Sequence, residues 1–96
     1  MANVVGTLVK DPDETRIFRM DWSAHLGTLL IANSAWTMTP TGLTLVTNGI
    51  STGNTKTYAL ISGGTANVTY YVTNTVHIAN TSEIFQRTGK LDCREY

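Results

Sequence analysis

Few side chains in this sequence suit acid–base, nucleophilic or metal chemistry, and their spacing decides what each could do. The 96 residues include two histidines, His25 and His77, and one cysteine, Cys93. A histidine acts as a general base only with a nucleophile or carboxylate in reach, and neither "WSAHLG" (22–27) nor "TVHI" (75–78) supplies a recognisable set. Cys93 alternates with Leu91 and reads as a small apolar core residue, since thiol reactivity needs an accessible, electropositive setting. One cysteine closes no disulfide within the chain, and Cys93, His25 and His77 lack the paired spacings of zinc sites. "DPDE" (11–14) gathers carboxylates that suit a hard cation, but without EF-hand spacing it reads as a solvated turn. No G-x-S-x-G elbow occurs. The expectation is a protein that is not an enzyme, with no catalytic residue, no metal and no cofactor.

Two further stretches invite a binding role. "SGGT" (62–65) could cradle a phosphate only if its glycines opened a helix, and a Walker loop adds a Lys followed by Ser or Thr. Here a strand pattern comes next and no Lys occurs between Lys56 and Lys90, so the glycines read as a turn. Trp22 and Tyr71 are the candidate rings for stacking on a sugar, which makes a carbohydrate or cell-surface binding module the alternative function. Seven basic residues balance seven acidic ones, leaving no electrostatic footprint for nucleic acid or an acidic membrane. No stretch has the length of a membrane span or the layout of a signal peptide, and the reading is of a soluble chain not exported by the usual signal.

The elements that must position these residues are strands. Hydrophobic content of 42% against 15% charged fits a folded chain. From Val68, the residues Val68, Tyr70, Val72, Val76 and Ile78 alternate with Thr69, Tyr71, Thr73, Thr75 and His77, the pattern of a strand with one face on a core. Asn74 interrupts the buried row, so it must lie at the core's edge or hydrogen-bond to backbone. "TRIFRMDW" (15–22) turns Phe18 and Met20 inward, with Trp22 a further candidate for that face, and "DWSAHLG" (21–27) continues it as a short helical turn. "TLLIANSAWTM" (28–38), "GLTLV" (42–46) and "TKTYALI" (55–61) are further strands, separated by the turn formers "TPTG" and "NGISTGN". "ANTSE" (79–83) is a hairpin tip, and "IFQRTGKLDCREY" (84–96) a last strand in which Gly89 marks a bulge or kink. Regularly spaced short strands signal a β-sandwich or barrel. Tyr70 has the placement of a tyrosine corner, its hydroxyl bonding backbone near Gly63 to Ala66. Trp36, Tyr70, Val72 and Phe18 are the expected core. Residues 1–96 read as one domain, with 1–10 an N-terminal arm or edge strand.

Taken in order, "KDPDE" (10–14), "DW" (21–22), "SAWT" (34–37), "GLTLV" (42–46), "SGGTA" (62–66) and "YYVTNT" (70–75) resemble a family of small phage fibre-tail adaptor proteins. The sequence departs from that pattern at Met38-Thr39 before Pro40, where the family tends to have Val directly before Pro, and at Asn67, where another glycine is common. The resemblance implies an all-β fold, an immunoglobulin-like antiparallel β-sandwich of about seven strands. It implies a virion structural protein, assembled in the host cytoplasm, that joins tail fibres or other appendages to the tail and needs no cofactor. Its partners would be other tail proteins, the tail tube or nozzle and the fibre N-terminus, in a symmetric oligomer. The candidate contacts are the apolar residues Val4, Val5, Leu8 and Val9, where an added strand would satisfy open backbone groups.

Overall fold

Alternation of apolar and polar residues becomes seven strands and one short helix in the computed structural model, which describes residues 4–51 and 53–94, with backbone alone for 4–6. The order is β1 (Val4–Lys10), β2 (Arg16–Asp21), α1 (Ser23–Leu26), β3 (Ile31–Thr39), β4 (Leu43–Ile50), β5 (Lys56–Gly63), β6 (Val68–Ile78) and β7 (Ile84–Cys93). Two sheets form, β1-β7-β6-β3 and β2-β5-β4. With sheets of four and three strands whose sequence neighbours repeatedly lie in opposite layers, this is an immunoglobulin-like sandwich.

One pairing departs from an all-antiparallel arrangement. β1 runs parallel to β7, with Leu8 beside Leu91 and Lys10 beside Cys93. Residues 11–15 carry the chain across to β2 in the other sheet instead of turning back beside β1. The neighbour of β1 is therefore a strand distant in sequence, and no hairpin constrains its direction.

The core lies between the sheets. Phe18, Met20, Trp36, Ile61, Tyr70, Val72, Val76 and Leu91 are all buried there. The rings of Phe18 and Trp36 meet edge to face at 6.1 Å, a favoured geometry for aromatic quadrupoles. Gly89 is neither bulge nor kink: β6 and β7 pair in unbroken register through Val72 and Gly89. A Cβ at Gly89 would overlap the Phe18 ring, so the missing side chain is space for a ring from the facing sheet. "NGISTGN" also differs from expectation, because Asn48, Gly49 and Ile50 continue β4. The Tyr58 side chain lies over Gly49, and the turn begins only after Ile50, where Asn54 N–H donates to Ser51 O.

Asn74 sits at the centre, fully buried. Its Oδ1 accepts from Trp22 Nε1 at 3.0 Å and Thr57 Oγ1 at 2.6 Å, and its Nδ2 donates to Ser34 Oγ and Ala35 O. One amide thus joins β6 to β3, to β5 in the other sheet and to the start of α1. Its burial is tolerated because both ends are paired.

Candidate functional site

The first candidates are the residues with chemistry. His25 lies in α1, exposed, with its ring edge-on to Phe85 at 4.6 Å. Ser23 and Asp21 are near in sequence, but Asp21 Oδ1 accepts from Ser23 Oγ at 2.6 Å and from Ser23 N–H at 2.9 Å. These two bonds, with Lys56 and Arg87 nearby, hold the Asp21 carboxyl below its ordinary pKa. Among the described residues no hydrogen bond links His25 to either. His77 is exposed on the outer face of the larger sheet, paired with Asn33 and Ile84. Cys93 is buried, and desolvation raises its thiol pKa. No group of three His, Cys, Asp or Glu able to hold a metal forms among the described residues. "DPDE" makes a compact turn: Glu14 N–H donates to Asp11 O, and Asp13 N–H to Asp11 Oδ1.

Trp22 takes the inward placement of its two readings, and its candidacy for sugar stacking is corrected. It is fully buried, covered by the Arg87 guanidinium 4.7 Å from its ring centroid and near-parallel to Phe85. Its indole N–H is committed to Asn74, so the ring is not open to stack on a sugar. Tyr71 is exposed, but it stands alone among Thr39, Lys90 and Thr7 across the sheet. From Tyr71 toward His77 the outer face carries neutral side chains. Thr73 and Thr88 share a hydrogen bond at 2.9 Å and Gln86 donates to Thr75 at 3.0 Å.

The glycines of "SGGT" end β5 with φ of 78° at Gly63 and 102° at Gly64, values an L side chain rarely adopts. A Cβ on Gly64 would also crowd Cys93 Sγ and Leu43. Tyr70, almost wholly buried, accepts from Thr65 N–H at 3.0 Å through its hydroxyl. This is the tyrosine corner read from the sequence.

A second tie meets the same corner, and sequence reasoning missed it. Lys10, at the end of β1, is fully buried. Its Nζ donates to Asp11 O at 2.8 Å and to Gly63 O at 2.5 Å, with Pro12 O at 3.4 Å. Backbone carbonyls satisfy the buried ammonium, which then needs no carboxylate. The signal was available in the alternation: Lys10 is two residues from Leu8, which packs on the core. Val9 between them is exposed, and its carbonyl accepts from the Arg16 guanidinium at 3.2 Å. Of the four candidate contact residues, Leu8 faces inward, Val9 faces out, and the side chains of Val4 and Val5 lie outside the described residues.

The fold and these sites define an all-β sandwich module with exposed sheet faces and strand edges. A protein-family model described as "Podophage GP4 fiber-tail adaptor protein gp77" matches residues 10–92, and the chain belongs to that family. No curated protein and no solved structure matches it.

Proposed function

We propose that this protein is a structural component of a bacteriophage virion, an adaptor that joins tail fibres or related appendages to the tail and works by contact, not catalysis. The observation that carries this reading is the family match, which runs from the last residue of β1 to the penultimate residue of β7 and so takes in both sheets. The arrangement of the site supports it. Three of the residues with chemistry are engaged within the fold: Cys93 in the core, Trp22 on Asn74, Ser23 on Asp21. The partners are other tail proteins, the tail tube or nozzle on one side and the fibre N-terminus on the other, in a symmetric assembly completed in the host cytoplasm. Residues 1–96 act as one domain, and the contact strip of β1, with Val4, Val5, Leu8 and Val9, is its first contact surface. The exposure of Val9 supports this reading, since it can be changed without disturbing the core.

The test is a phage from which the gene is deleted, complemented in trans and imaged by electron microscopy. Particles without the protein should have tails lacking fibres, and the wild-type chain should restore them. Val9→Asp should lower incorporation while leaving the unfolding midpoint of the isolated protein unchanged. A full set of fibres on particles lacking this protein overturns the reading.

A further inference from the structure

A sheet edge is a row of unpaired backbone N–H and C=O groups, and folded proteins blunt such rows with charge, proline, bulges or irregular pairing. This sandwich has four edges, β1 and β3 in one sheet, β2 and β4 in the other. β2 carries Arg16, Arg19 and Asp21. β4 is interrupted by a register shift between Leu45 and Thr47, and β1 by one between Val4 and Thr7. β3 is shifted once near its start, between Ile31 and Asn33, and beyond that shift it has no such device from Asn33 to Thr39. Its register with β6 runs unbroken from Asn33 opposite His77 to Thr39 opposite Tyr71, and no charged residue or proline lies within it. Seven residues in a strand expose about 23 Å of backbone. The surrounding chain adds no protection, because no Asp, Glu, Lys or Arg occurs between Asp21 and Lys56. β4, which lies against β3, falls wholly inside that interval.

We propose that β3 is a pairing edge for a second copy of this chain, the two β3 strands running antiparallel across a twofold axis. The charge pattern selects this occupant. A strand paired antiparallel with its own copy sets residues near the axis against their equivalents, where any charge meets its like. The outward side chains of β3 are Asn33, Ala35, Thr37 and Thr39, all exposed, neutral and small. They carry no such repulsion, and threonines across an antiparallel pair are favourable neighbours. A charged partner strand would find nothing complementary here. The edge is also held in place from within, since the Asn74 amide donates to Ser34 Oγ and Ala35 O. The inference names one partner within the adaptor reading, a second copy, and the test in solution needs no tail.

Sedimentation velocity and native mass spectrometry of the wild-type chain would be compared with Thr37→Lys and, as a control on the guarded edge, Ile17→Lys, with far-UV circular dichroism reporting the fold. The wild type and Ile17→Lys should dimerise, and Thr37→Lys should weaken the dimer by about tenfold or more. If Thr37→Lys fails to fold, Ala35→Lys tests the same edge. Single-cysteine variants Asn33→Cys, Ala35→Cys, Thr37→Cys and Thr39→Cys then report register, the one nearest the axis forming an intermolecular disulfide on oxidation; the native Cys93 is buried and does not compete. A wild-type chain that stays monomeric at about 1 mM overturns the proposal. So does a dimer unaffected by Thr37→Lys whose β3 cysteines crosslink no better than Thr44→Cys. A monomer that still restores fibres to particles removes this inference alone, whereas a dimer that never enters particles removes the adaptor reading alone.

Discussion

Two buried polar side chains hold this sandwich at points where an apolar residue would leave partners stranded. The Tyr70 hydroxyl satisfies a single N–H, that of Thr65, an exposed turn residue. Asn74 satisfies the Trp22 indole and the Thr57 hydroxyl, and its amide serves Ser34 and Ala35. Net hydrogen-bond energies are modest, whereas a buried group left unpaired loses its full desolvation cost. Tyr70→Phe should therefore lower unfolding free energy by about 1 kcal/mol in chemical denaturation. Asn74→Leu should cost about 3 kcal/mol or more, because water cannot replace the amide at that depth. Equal losses for the two variants would mean that the Asn74 network does not act as described. The roles of the two residues were not equally legible. Tyr70 comes after a glycine turn at the start of a strand, a local pattern with a known hydrogen bond. Asn74 showed only that a polar residue stands in an apolar row; its partners come from three other segments and no local pattern names them.

At the scale of elements, β1 is tied to the body of the protein by its last residue. Lys10 brings its ammonium to carbonyls of Asp11, Pro12 and Gly63, linking the start of the β1–β2 crossing to the end of β5. Lys10→Met keeps the length and apolar stem but removes the donor. The expected loss is about 1–3 kcal/mol, with faster amide hydrogen exchange concentrated in β1 and the Gly63–Gly64 turn. Uniform protection across β1 in that variant would place the strand's stability elsewhere, in its ladder with β7. The same scale explains why strand periodicity misleads at Gly89. A glycine inside a strand pattern has two common causes, a bulge or the close approach of another group. The choice depends on Phe18, some seventy residues earlier in β2 of the facing sheet, and periodicity carries no information about which ring of the opposite layer will arrive there.

For the whole molecule, cooperativity should be visible at Cys93. The thiol is buried against the closing corner of the sandwich, and burial raises its pKa, which lowers the reactive thiolate fraction. Labelling with a thiol reagent should be slow in the native state and, across a denaturant series, should follow the free energy of global unfolding. Fast labelling of the native protein would show that β7 opens locally, and it would weaken any account in which this corner anchors an assembly contact. A rigid body suits an adaptor, since a joint that frays cannot hold two partners in a fixed orientation.

The order of strands, the inward rows of β2 and β6 and the tyrosine corner come from the sequence alone, because period-two alternation and turn chemistry act over a few neighbouring residues. The family pattern from Lys10 to Thr75 was legible for the same reason: it is a series of turns and strands in order. Tertiary structure alone decided which strands became edges, that β1 would lie parallel to β7, that Trp22 would be sealed beneath Arg87 and that Lys10 would be buried among carbonyls. Each depends on contacts between segments far apart in the chain, and no local pattern encodes which layer will cover a residue or which row of backbone groups will be left open.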